Sequence, residues 1–195
     1  MIQFLEQLLK IRNERIMKVY DMDLTDVKII EPDIHIDHRG YLAVPISTIA
    51  LREHGVDFNI IQINQGYSKT KHTIRGMHFQ AQPWAQAKLI SANQGSFYSV
   101  AIDIRKESPN FGKWCGEVIS LSNHKVMYIP RGFAHGYLTL EDNTILQYCV
   151  DNQYCFEAAK SIRFDDPSVA IEWIDNIDID TLTEKDRKGL FLTDL

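Results

Sequence analysis

Residues 74–80 read Ile-Arg-Gly-Met-His-Phe-Gln (IRGMHFQ), and how they alternate decides how the chain folds. The stretch has the two-residue period of a β-strand, in which successive side chains point to opposite faces. Ile74, Gly76, His78 and Gln80 then share one face, and Arg75, Met77 and Phe79 share the other. A strand that turns His78 toward whatever its sheet encloses admits three explanations. The histidine is a hydrogen-bonded core residue, a metal ligand or a catalytic base.

Outward from this strand the texture repeats. VKIIE, GYLAVPIS, FNIIQINQ, AKLISAN, SFYSVAIDI, GEVISLS, KVMYIP, GYLTL, TILQYCV and SIRF are short alternating or apolar runs. NQGS (93–96) and RGFAHG (131–136) read as turns between them. Strands this short and turns this frequent, with hardly a helical window, predict an all-β closed barrel or two-sheet jelly roll. The ends differ. In residues 1–16, Leu5, Leu8, Leu9 and Arg12 follow helical spacing, so a short amphipathic extension is expected there. Residues 17–195 are expected to form one domain, with Asp180 or Thr181 capping a last helical turn near the C-terminus.

Bulk composition narrows the function. At 195 residues and 45% hydrophobic, the chain suits a single core. A net charge of −5 without a basic run gives no surface for nucleic acid or an anionic membrane. The three cysteines form no CxxC pair and no even-numbered framework, which fits a reducing compartment. No apolar run approaches the roughly 18 residues of a membrane span, and the N-terminus lacks a signal-peptide order. A cytoplasmic protein is expected.

Three kinds of chemistry can be weighed from residue types. PRGFAH (130–135) has the Pro-x-Gly-x-x-His form of the second cupin motif and offers His135. The first cupin motif would supply His-x-His and a carboxylate, but here His78 is followed by Phe79 and Gln80, with no acid before Lys88. Two histidines without a third donor suit zinc or iron poorly, so no metal is expected. Arg39, Arg75, Lys88 and Arg131 offer cations for an anionic ligand, arginine's planar fork matching phosphate. An inward histidine also serves as a base when a carboxylate fixes its tautomer. Residue types alone leave His78 open between core and base, and Tyr148 reads as readily as packing.

Taken together, DHRG, IQIN, IRGMHFQ, WAQAKLI, SPNFGKW, IPRGFAHG, FDDPSVAIEW and LTEKD resemble, in order, the dTDP-4-dehydrorhamnose 3,5-epimerase family. The resemblance runs from about residue 27 to 190. It implies a cupin-type jelly roll without metal or other cofactor, usually a homodimer, acting on a nucleoside-diphospho-4-keto-6-deoxyhexose. It also implies roles. His78 is the base and Asp186 the acid that orients it. Lys88 stabilises the enolate oxygen, and Tyr148 returns a proton to the opposite face. Arg39 and Arg75 match diphosphate contacts, Gln62 and Asn64 match residues near the nucleoside, and Tyr154 and His135 match polar residues of the pocket.

Two positions depart from the family pattern. Val44 stands where an acidic residue commonly meets the nucleobase, and Ser99 stands where an aspartate is usual. Two alternatives to the epimerase follow: a sugar-nucleotide 3,4-ketoisomerase, and a non-catalytic sugar-nucleotide binder. The C-terminal Asp186 favours the epimerase over the isomerase, and the complete acid–base set disfavours the binder.

Overall fold

A computed structural model describes residues 17–195; the helical extension expected over residues 1–16 lies outside the described residues. The strands are β1 (Lys18–Asp21), β2 (Lys28–Glu31), β3 (Ile34–Asp37), β4 (Gly40–Ala43), β5 (Gln62–Ser68), β6 (Ile74–Gln80) and β7 (Lys88–Gln94). They continue with β8 (Ser96–Asp103), β9 (Trp114–Ser120), β10 (Val126–Ile129), β11 (Phe133–Thr139), β12 (Thr144–Val150) and β13 (Ala159–Ser161). One sheet runs β1-β2-β10-β7-β12-β5, and the second runs β13-β6-β11-β8-β9. β3 and β4 form a separate hairpin. The pairings within the sheets are antiparallel, which suits the short connections.

The two sheets lie face to face as a jelly roll. Ile90, Met127 and Leu146 of the first meet Phe97, Ala101 and Phe133 of the second in a buried cluster. Each of the larger side chains contributes about 1.5–3 kcal/mol on leaving water, so this layer supplies much of the driving force. The outer face of the five-stranded sheet is covered by the C-terminal tail, whose Val169 and Leu192 pack with Ile74, Met77 and Leu138. The outer face of the six-stranded sheet is covered by Val56, Phe58 and Leu51.

Leu51 belongs to a six-residue helix, α1 (Thr48–Glu53), inside a region expected to hold only strand and turn. Ser47 caps it by accepting from Ala50 N. RGFAHG, expected as a turn, is one only at its start, because Phe133–Gly136 already belong to β11. Near the C-terminus Asp178 caps a 3₁₀ turn over Ile179–Thr181, and Thr183 caps α2 (Glu184–Arg187). The expected caps at Asp180 or Thr181 are therefore displaced by two residues.

The opening strand departs from simple alternation. His78 pairs with His135, but Arg75 pairs with Tyr137, so β6 spends three steps where β11 spends two. The extra residue is a β-bulge, and it exchanges the two faces of β6. Ile74 and Met77 consequently join the outer cluster, while Arg75, His78 and Gln80 line the space between the sheets. The expected grouping of Arg75 with Met77 is thus overturned. Gly76 sits in the bulge at φ +120°, and a Cβ there would lie 2.5 Å from Gly136 Cα and 2.8 Å from the His135 carbonyl oxygen. Only glycine fits that approach.

Candidate active site

A cavity of about 580 Å³ opens between the sheets where β6 and β11 face β7 and β12. It brings together His78, Lys88, His135, Tyr148, Asp186 and Arg75 from five separate elements. The bulge in β6 is what allows Arg75 and His78 to enter the same space.

His78 and Asp186, 108 residues apart, form a close contact in the cavity: His78 Nε2 lies 2.6 Å from Asp186 Oδ1. The aspartate is buried at the start of α2, where the Thr183 hydroxyl donates to Oδ2 at 2.9 Å and Ser161 donates to Oδ1 at 3.2 Å. Burial alone would raise the Asp186 carboxyl. The bonds from His78, Thr183 and Ser161, with the charge on His78, outweigh burial and hold it below the usual carboxylate range. An ionised carboxylate only accepts, so Nε2 of His78 donates to it, and in the neutral form of the ring the lone pair falls on Nδ1. His78 itself is 42% exposed at its side chain, while Asp186 is 3% exposed, so the imidazole reaches the ligand space and its partner does not.

Lys88 is buried in the opposing sheet, and its Nζ donates to the His78 carbonyl oxygen at 3.3 Å. Burial pushes its ammonium down to about 8. His135 lies directly across from His78 in the register and accepts or donates a 3.0 Å bond with Ser99 Oγ. Burial first, then the charges of Lys88 and His78, push His135 well below the usual histidine range, so it stays neutral. Tyr148, on β12, is raised above the usual phenol range by burial, with the Arg75 guanidinium pulling partly in the opposite direction. It is a protonated phenol at neutral pH. Ser99 itself is fully buried.

Tyr154 is exposed and lines the mouth of the cavity. Gln62 and Asn64 are placed differently from these. Asn64 lies opposite Tyr148 in the register of β5 and β12, on an edge strand whose Gln65 and Gly66 line the cavity while Asn64 itself does not, and Gln62 donates to it. Arg39 stands outside the cavity altogether. It occupies the tip of the exposed β3–β4 hairpin, where its Nε donates to Asp37 at 3.0 Å. Val44 follows the same hairpin and is exposed. The lining residues that escaped the sequence reading include Tyr137, Lys160 and Lys185. Tyr137 alternates with His135 on β11 and could have been found that way. Lys185 neighbours Asp186 in LTEKD, whereas Lys160 carries no sequence signal.

Among the described residues no group of three or more His, Cys, Asp or Glu side chains is placed to hold a metal ion. No helix among them is long and apolar enough to cross a membrane.

The chain is similar to known proteins over nearly all of its described length. A family model for dTDP-4-dehydrorhamnose 3,5-epimerase matches residues 21–194. The chain is 34% identical over 179 residues to a dTDP-4-dehydrorhamnose 3,5-epimerase of Sinorhizobium fredii, covering 92% of this chain and 91% of the relative. The crystal structure of the Bacillus anthracis dTDP-4-dehydrorhamnose 3,5-epimerase, with TDP and pyrophosphate bound, superposes with a TM-score of 0.84 at 39% identity, over 90% of this chain and 99% of that one. A Legionella pneumophila dTDP-6-deoxy-D-glucose-3,5-epimerase, in complex with dTDP-4-keto-L-rhamnose, gives a TM-score of 0.85 at 34% identity, over 91% and 93%. By fold, by sequence along almost its whole described length and by the model it matches, the chain belongs to the dTDP-4-dehydrorhamnose 3,5-epimerase family.

Proposed function

We propose that this chain inverts carbon 3, carbon 5 or both in a nucleoside-diphospho-4-keto-6-deoxyhexose, as an isomerase of deoxysugar biosynthesis, with His78 as the base. The observation that carries this reading is the 2.6 Å His78–Asp186 contact facing the buried Lys88 across one cavity. The 4-ketone acidifies the hydrogens on its neighbouring carbons. His78 Nδ1 takes one such proton, the C–H electron pair moves toward the ketone, and the oxygen becomes an enolate. The ammonium of Lys88 is a fixed charge where that negative charge develops. Asp186 stabilises the imidazolium formed on His78. Tyr148 then gives its phenolic proton to the opposite face of the same carbon, and exchange with solvent restores both groups.

The remaining assignments belong to the same reading. Arg75, whose Nη2 donates to the Tyr67 carbonyl at 3.0 Å, binds the diphosphate beside Tyr148. Tyr154 and His135 contact the sugar, and Gln62 and Asn64 line its path toward the nucleoside. Arg39 reaches a diphosphate only if its hairpin meets a second copy of the chain, which fits a homodimer. The exposure of Ile36, Tyr41 and Leu42 on that hairpin supports such an interface. Three free thiols support a cytoplasmic setting. Residues 17–195 act as one domain.

The test is solvent exchange. The protein is incubated in D₂O with dTDP-4-keto-6-deoxyglucose, and separately with its CDP counterpart. Enzyme-dependent deuterium at carbons 3 and 5 with inverted product is expected of a double epimerase, and label at one carbon of a single-centre enzyme. Tight binding of the nucleotide sugar without any exchange would overturn the epimerase reading in favour of a binder.

A further inference from the structure

Ser99 is fully buried in the middle of β8, and its hydroxyl has one hydrogen-bond partner among the described residues, His135 Nε2 at 3.0 Å. A hydroxyl in a dry site with a single partner is satisfied best as the donor, because an orphaned O–H proton is costlier to bury than a spare lone pair. If Ser99 donates, Nε2 accepts. The neutral ring then carries its one proton on Nδ1. That nitrogen makes no hydrogen bond to a described residue, and the ring lines the cavity.

The surroundings of His135 fit a neutral donor. Across the register lies His78, and Lys88 from the opposing sheet reaches the His78 carbonyl oxygen. Arg75 on β6 and Tyr137 on β11 complete the polar wall on that side, with Tyr148 facing from β12. The carboxylate in this part of the cavity, Asp186, is engaged by His78, Ser161 and Thr183. A second cation beside Lys88 would therefore stand without a counter-charge. An aspartate in place of Ser99 would accept from Nε2 and favour an imidazolium, which also presents an N–H from Nδ1 but adds a positive charge. Serine presents the N–H and leaves the ring uncharged.

We propose that Ser99 is a positioning residue that fixes His135 as the neutral Nδ1–H tautomer, making His135 a second, uncharged donor beside Lys88 for the enolate oxygen. The catalytic half of this inference rests on the epimerase reading; the tautomer does not. Two preorganised donors share the developing charge, in the manner of an oxyanion hole.

The experiment is long-range ¹H–¹⁵N correlation NMR of the full chain labelled at histidine, at neutral pH and without substrate. The expected spectrum shows His135 protonated on Nδ1 and bare on Nε2. An Nε2–H tautomer, or an imidazolium, would overturn the proposal, and this needs no variant. In Ser99→Asp the Nε2 signal is expected to become protonated. In Ser99→Ala the tautomers mix, and kcat is expected to fall on the order of tenfold with KM within about twofold, since the lost orientation matters only where charge develops. Unchanged kcat in Ser99→Ala would remove the positioning role even with the tautomer as expected. Should wild-type protein turn over neither nucleotide sugar, the spectrum still decides how Ser99 holds His135, so the two readings fail separately.

Discussion

Replacing His78 by alanine is expected to lower kcat by about 10²- to 10⁴-fold, or roughly 3–5 kcal/mol of barrier, while the protein stays folded. The size follows from the role. A positioned base contributes that much, and nothing else in the cavity has both a free lone pair and a buried carboxylate behind it. His78 is substantially exposed to the ligand space, so its removal leaves no collapsed core. It does leave Asp186 without its closest partner, although Thr183 and Ser161 still hold the carboxylate. Circular dichroism and a denaturant midpoint near wild type, measured with the rate, separate lost chemistry from lost structure. Wild-type turnover in the alanine variant would take His78 out of the mechanism.

Lys88→Met is expected to cost about 10²- to 10³-fold in kcat, the usual loss when one preorganised donor to a developing oxyanion is removed. The pH dependence is as informative as the rate. Burial lowers the Lys88 ammonium to about 8, so the cation is present below that pH and is lost above it. The wild-type kcat/KM should therefore fall as the pH climbs past about 8, and this limb should vanish in Lys88→Met. The stability consequence has the opposite sense. Because the folded value lies below the unfolded value of about 10.4, the unfolded chain binds more protons between the two. Wild-type stability should rise relative to Lys88→Met across that window, as the penalty of burying a charge is relieved. Chemical denaturation of both proteins at several pH values checks it, and parallel curves would show that Lys88 is not the titrating group.

Much of this was legible in the sequence, for identifiable reasons. β7, β8 and β12 announce themselves because each is a short run rich in apolar, β-branched and aromatic residues. Helix α1 did not, being too short for its apolar spacing to show, although Ser47 at its cap is a usable signal. The exchange of faces in β6 was hidden for a different reason. It depends on the pairing partner, where Gly76 and Gly136 let the two backbones close up, and a strand read alone carries no record of its neighbour.

The site divides in the same way. His78 could be suspected from its place on β6, but its partner lies 108 residues away on a four-residue helix, beyond any periodicity. Only resemblance to a family joined them. Lys88, His135, Tyr148 and Arg75 converge in one cavity. Arg39, Gln62 and Asn64 do not: Arg39 sits at the tip of the β3–β4 hairpin, and Gln62 and Asn64 lie on an edge strand.

The central claim is that His78 and Tyr148 act on opposite faces of one carbon, and Tyr148→Phe in D₂O tests it most directly. The phenylalanine variant keeps the base and loses the acid. It is expected to wash deuterium into the substrate carbon next to the ketone while forming little or no inverted sugar, since abstraction by His78 and return to the same face remain possible. Inversion at the wild-type rate in Tyr148→Phe would contradict the two-sided mechanism.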